Sequence, residues 1–180
     1  PDLRNPLVIA DATAFFNHSG FGLYDAKAAN GEKIRAILAP SAGDKPRSFF
    51  DKFDAFAKEE NMGGMAYVAF SANGAKGIAK YFSEDKLNEL KQTFGAKEGD
   101  AVLFMGGVEK LVNKFAGKVR NKLGEELSLY DYNAFKLCWI VDFPMYEENE
   151  ETGVVEFSHN PFSMPQGGID ALMNKHPLEI

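Results

Sequence analysis

Two short apolar runs constrain the fold most. Met65–Phe70 follows Gly63-Gly64, and Asp100–Met105, apolar after its first residue, precedes Gly106-Gly107. Runs this short, punctuated by glycine, read as buried strands rather than helices. They alternate with segments of helical period. Pro46 opens a helix at a tolerated early position. Phe49, Phe53, Phe56 and Ala57 then recur at helical spacing, with Lys52, Asp54, Lys58, Glu59 and Glu60 between them. Ser83 caps a helix running to about Phe94, with Glu84 and Asp85 at its positive end and Gly95 as its stop. Gly106-Gly107 opens the strongest helix, whose apolar stripe is Val108, Leu111, Val112, Phe115, Val119 and Leu123. Upstream, Ile9–His18 reads as a short helix. Phe21–Ala28 and Lys33–Leu38 read as strands of a hairpin turned at Asn30-Gly31. Ser71–Gly77 reads as a small polar loop. Residues 8–123 therefore predict an α+β or mixed α/β layer in which helices cover a small sheet.

After residue 130 the pattern changes. Residues 1–130 carry 18 Lys+Arg against 17 Asp+Glu, whereas residues 131–180 carry 2 against 9. So sharp a change predicts two different surfaces and two domains. Lys136–Phe143 reads as a buried strand stopped by Pro144, and Val154–Ser158 as its returning partner. Glu147–Glu151 and Thr152-Gly153 form a long acidic tip between them. The net charge of −6 argues against a basic nucleic-acid binder. A single Cys excludes an internal disulfide framework, and with three His it argues against a zinc site; no metal site is expected. No apolar run approaches the ~18 residues needed to span a bilayer. No signal peptide is visible, so no membrane association is expected and the cytoplasm is the default compartment. The start at Pro1 without Met reads as a fragment, although removal of an initiator Met also accounts for it.

Several features are chemically suggestive. The Gly106-Gly107 turn before a helix could hold phosphate on free amides. It lacks both the dinucleotide fingerprint and the Lys-Ser/Thr pair of a P-loop, so a tight turn accounts for it. Lys110, Lys114, Lys118 and Lys122 fall at four-residue spacing on the last helix, with Arg120 nearby. Such a ridge is either a contact for an anionic polymer such as RNA or a solvated face partnered by neighbouring elements. Glu147, Glu148, Glu150 and Glu151 lack the convergence a metal needs and read as a solvated loop. Cys138 reads as a small buried hydrophobe. His159, beside the loop bounded by Pro161, is placed for a ligand pocket. Asp142, ending an apolar strand, needs a partner if buried.

Trp139-Ile140-Val141-Asp142-Phe143-Pro144-Met145-Tyr146-Glu147, followed by His159-Asn160-Pro161-Phe162-Ser163-Met164-Pro165, resembles bacterial-type aspartyl-tRNA synthetases. Pro1-Asp2-Leu3-Arg4-Asn5-Pro6 looks like the end of that family's segment after motif 2. The residues between resemble its GAD domain, an insertion shared with an amidotransferase subunit. The resemblance implies three parts: residues 1–8 ending a catalytic-domain segment, residues 9–130 as the GAD insertion, and residues 131–180 returning into the catalytic domain before motif 3. The implied fold is α+β, with a small, largely antiparallel GAD-like sheet carrying helices, then a partial class II catalytic-domain hairpin.

The family joins L-aspartate to tRNA through an aspartyl-adenylate, using ATP and Mg²⁺. The motif 2 and motif 3 arginines that hold ATP are absent from these residues, so the chain alone is expected to be inactive, with no catalytic residue of its own and no bound cofactor. His159 and Asn160 match the edge of the aspartate and ATP pocket, and Asp142, Pro144 and Pro161 take packing roles near it. Asn160 departs from the His-His-Pro-Phe form common in the family, which implies a relaxed enzyme acting on tRNA(Asp) and tRNA(Asn). A homodimeric, cytoplasmic parent is implied, with the insertion as a positioning module near the tRNA acceptor end. The alternative is a stand-alone, noncatalytic GAD module, as in the amidotransferase subunit.

Overall fold

The computed structural model describes residues 2–149, 151–158 and 164–180. Five strands form a sheet within the first of two units, Pro1–Lys136: β1 (Ile9–Asp11), β2 (Lys33–Ala39), β3 (Ala66–Ser71), β4 (Gly74–Gly77) and β5 (Ala101–Gly107). Their spatial order is β1-β2-β5-β3-β4, and each neighbouring pair is antiparallel. Four helices accompany them: α1 (Gly22–Ala29), α2 (Arg47–Glu59), α3 (Glu84–Phe94) and α4 (Glu109–Glu126). The expected α+β fold, with a small antiparallel sheet carrying helices, is what the chain adopts.

The central strand organises two cores. Successive residues of a strand point to opposite faces. Ala101, Leu103 and Met105 pack with Phe53 of α2 and with Phe115 and Val119 of α4. Val102 and Phe104 pack with Phe15, Phe16, Tyr24 and Leu90 on the other face. Covering both faces buries every position of β5, which is why its sequence is an unbroken apolar run. Phe16 meets Phe104 edge-to-face, with ring centroids 5.1 Å apart. Full burial of a side chain such as Phe16 or Phe53 contributes about 1.5–3 kcal/mol.

Helix ends follow their punctuation in part. The Ser83 hydroxyl accepts the Lys86 amide at 3.2 Å, and Gly95 closes α3 in the left-handed conformation. Two upstream expectations are overturned. Ile9–His18 is not a helix, because Asp11 Oδ1 accepts the Thr13 amide at 2.7 Å and turns the chain after β1. Thr13 Oγ1 then accepts the Ile34 amide at 3.0 Å, joining this turn to β2. Phe21–Ala28 is not a strand but contains α1. Asp25, in its first turn, gathers the Ser19 amide and hydroxyl and the Gly20 amide. Asn30-Gly31 therefore ends a helix instead of turning a hairpin.

Three further readings shift. Gly74–Gly77 is a strand pairing with β3, so Ser71–Gly77 is a hairpin and not a loop. Gly106 and Gly107 finish β5 opposite Ile34 and Lys33, and α4 begins only at Glu109. Val108 and Leu111 are exposed, and the buried stripe of α4 instead takes in Ala116, Arg120 and Gly124.

The second unit, Leu137–Ile180, holds a hairpin of β6 (Tyr146–Glu148) and β7 (Val155–Phe157), and helix α5 (Gly168–Asn174). The expected hairpin exists, but its first strand lies downstream of Lys136–Phe143. That run has no regular structure, and Phe135, Leu137 and Trp139 stand more than nine-tenths exposed around it. A buried strand needs a hydrogen-bonded neighbour, and no described strand pairs with it. Cys138, expected to be buried, is exposed for the same reason. At the acidic tip, Asn149 Oδ1 accepts the amides of Glu151 and Thr152.

Candidate functional site

The lysine ridge lies on α4, and the structure divides it. Lys110 and Lys114 are exposed on the first half of the helix. Lys118 Nζ reaches Glu60 at 2.6 Å, and Lys122 Nζ sits 4.3 Å from the centre of the Phe56 ring. The C-terminal pair thus braces α4 against α2 and the residue that follows it. Arg120 does not belong to the ridge. It is buried, and its Nε donates to the Leu7 carbonyl at 2.6 Å while Nη2 donates to those of Asn5 and Asp2 at 2.5 and 2.9 Å. Sequence reasoning missed this. The signal was available, because Arg120 follows Ala116 by four residues inside the apolar stripe, where a cation must find acceptors.

On the opposite flank of α4, Arg35 of β2 joins three elements. Its guanidinium reaches Asp11 at 2.5 Å, Asn113 at 2.7 Å and Glu109 at 3.1 Å. A cleft of about 770 Å³ opens between α1, α2 and the start of β3, with Tyr24, Met65 and Tyr67 in its wall. Most of its charges are paired: Lys58 reaches Asp54 at 2.6 Å, Arg47 reaches Asp51 at 3.5 Å and Lys27 reaches Glu32 at 2.7 Å.

The carboxyls of the first unit are tuned by structural hydrogen bonds. Burial raises the Asp25 carboxyl, but hydrogen bonds from the Ser19 hydroxyl and amide and the Gly20 amide outweigh it, and the group lies below its ordinary value. Burial likewise opposes, and Lys58 with the Met65 amide overcomes, so that Asp54 is also lowered. Asp11 is lowered by Thr13 and Arg35 against the same penalty. Burial pushes the Tyr24 phenol well above its usual range. Asp11, Asp25 and Asp54 are thus all lowered, the opposite of the rise a general acid requires. No group of three or more His, Cys, Asp or Glu among the described residues converges on a metal position.

In the second unit, Asp142 and Pro144 line a cleft of about 670 Å³ with Phe143, Gln166, Lys175 and Leu178. Asp142 is exposed, has a positive φ of 53°, and accepts Gln166 Nε2 at 3.0 Å. The Pro144 carbonyl accepts the Ser158 hydroxyl, and the Met145 carbonyl accepts the Ser158 amide at 3.1 Å. These bonds tie the approach to β6 to the end of β7. His159, Asn160 and Pro161 lie outside the described residues. No helix among the described residues is long and apolar enough to cross a membrane.

Comparison with known proteins places a family boundary on this architecture. The profile of the GAD domain matches residues 24–116, which lie inside the first unit. The full chain is 55% identical to an "Aspartate--tRNA(Asp/Asn) ligase" of Gluconobacter oxydans (strain 621H), of which it covers 30%. It is 54% identical to a protein of that name from Paramagnetospirillum magneticum (strain ATCC 700264 / AMB-1), covering 21% of it. A Rickettsia africae (strain ESF-5) relative of the same name is 53% identical over 96% of the chain, which covers 29% of it. The chain thus spans less than a third of the length of these curated relatives.

Proposed function

The chain belongs to the GAD-domain family, and we propose that it is an internal stretch of an aspartate–tRNA ligase, a class II enzyme that activates L-aspartate with ATP and transfers it to tRNA. One observation carries this reading. Identity of 54–55% runs the whole length of the chain, through residues 131–180, into relatives that all bear the ligase name. A stand-alone GAD module would have no reason to share the second unit.

In this reading residues 9–130 are a positioning module near the tRNA acceptor end, and residues 131–180 are a piece of the catalytic domain. Residues 1–8 end the preceding catalytic segment, and residues 9–130 are the insertion. His159 and Asn160 form the edge of the aspartate and ATP pocket, with Asp142, Pro144 and Pro161 packing beside them. Lys110, Lys114, Lys118 and Lys122 face the RNA. The described residues offer no convergent set of metal ligands. In this reading Mg²⁺ and the arginines that hold the ATP phosphates lie in portions of the ligase outside these residues. The ligase is a cytoplasmic homodimer, and the chain alone has no synthetase activity.

The relaxed form, charging tRNA(Asp) and tRNA(Asn), is supported by Asn160 and by the Asp/Asn designation of the relatives. Aminoacylation by the full-length ligase tests it: both tRNAs should accept aspartate, and rejection of tRNA(Asn) would sink the relaxed form. Aspartate-dependent pyrophosphate exchange should be present in the full-length enzyme and absent from the isolated chain.

A further inference from the structure

We propose that residues 2–8 and 127–136 form a braced neck, locked by Arg120, that fixes the paths by which the chain enters and leaves the GAD unit. Arg120 is then a positioning residue for tRNA charging, an inference that rests on the ligase reading above.

The leading and departing segments meet on the last two turns of α4. Arg120 donates to the carbonyls of Asp2, Asn5 and Leu7. Asn5, 1% exposed, answers by donating Nδ2 to the Arg120 carbonyl at 2.9 Å, and its Oδ1 accepts the Leu7 amide at 3.0 Å. The departing segment lies against the same place. The Leu129 amide donates to the Gly124 carbonyl at 2.8 Å, and the Asp131 amide to the Arg4 carbonyl at 3.2 Å. The Arg4 guanidinium, paired with Asp2 at 2.6 Å, lies 5.7 Å from the centre of the Tyr132 ring. A side chain on Gly124 would meet both segments, at 2.3 Å from Asn5 Nδ2 and 2.9 Å from the Tyr130 ring.

These contacts specify direction more than they bury surface. Leu7 joins the core, and Leu127 and Leu129 pack against it, but residues 2–6 join neither apolar core and Leu3 is exposed. The path of the leading segment is fixed by oriented hydrogen bonds, which weaken steeply when bent. A buried guanidinium held by carbonyls is tolerated only while those bonds are made. The planar fork serves several acceptors at once, which a lysine ammonium does not reproduce.

Trypsin cleavage after Arg4 reads the neck in the 180-residue chain. Arg120→Met should speed that cut, whereas Phe53→Leu, which weakens the same unit's core away from the neck, should not. Equal cutting in wild type and Arg120→Met overturns the proposal. In the full-length ligase, Arg120→Met should raise the KM for tRNA by about tenfold through misplacement, with aspartate-dependent pyrophosphate exchange unchanged. Arg120→Lys should fail to restore it. A loosened neck with unaltered tRNA charging, or full rescue by lysine, also overturns the proposal. If the wild-type ligase charges no tRNA, the ligase reading fails by itself, and the cleavage result still decides the neck.

Discussion

The Tyr24 hydroxyl donates to the Phe104 carbonyl at 2.9 Å, joining α1 to the central strand inside the core that also holds Phe15 and Phe16. Tyr24 is 3% exposed, so neither group has water as an alternative partner. Tyr24→Phe should cost about 1–3 kcal/mol, because it leaves the carbonyl without its donor. Burial raises the phenol above its ordinary value of 10.0. The folded state therefore favours the neutral form, and its contribution is complete below pH 10 and lost as pH rises beyond. Urea unfolding of both forms should show the difference between them narrowing above pH 10.

Two glycines of α4 should respond oppositely to the same substitution. Alanine is favoured over glycine inside a helix by about 1 kcal/mol. Nothing lies within 4 Å of a side chain built at Gly117. Gly117→Ala should therefore stabilise the chain by about 0.5–1 kcal/mol. At Gly124 the added methyl would sit 2.3 Å from Asn5 Nδ2, and the resulting strain should outweigh the gain by about 1–3 kcal/mol. Midpoints of urea unfolding check both signs, and equal shifts would contradict the packing described for the neck.

Asp25 predicts a dependence on acid. Its carboxyl is lowered from 3.8 in the folded chain, so its stabilisation is present above 3.8 and is lost as pH falls below that value. Asp25→Asn should weaken the chain near neutrality, because the amide retains one acceptor oxygen where the carboxylate used both. The deficit should shrink below pH 3.8. Thermal melts of both forms across pH 3 to 7 measure it.

The physical source of each sequence signal decides how much of the fold was legible. Buried strands and capped helices announce themselves locally: the apolar run of β5 and the Ser83–Gly95 bracket of α3 need no knowledge of the rest of the chain. Ile9–His18 and Phe21–Ala28 were misread because side chains there bond to backbone. Asp11, Thr13 and Asp25 choose between turn, helix and strand through partners that periodicity does not register. The Asn73-Gly74 pair was a usable hairpin signal for β4 that went unread. Arg120 was legible as a cation within an apolar stripe, but its acceptors lie more than a hundred residues away in sequence. The strand expected at Lys136–Phe143 was read from composition alone, which does not supply the neighbouring strand that pairing requires.

The divided ridge sets how RNA contact must be tested. Reversing Lys118 would also break its 2.6 Å pair with Glu60, so a loss there would mix RNA binding with the packing of α4 on α2. Lys122 carries a similar complication through Phe56. Lys110→Glu with Lys114→Glu, on the exposed first half of the helix, tests the other part of the ridge. If these two lysines approach phosphates in the full-length ligase, their reversal should raise the KM for tRNA and leave kcat nearly unchanged. The tRNA KM should also lose salt dependence, with the slope of log affinity against log salt falling by about two, one for each lysine. An unchanged KM and slope would leave the ridge as a solvated face and move the RNA-facing surface of the unit elsewhere.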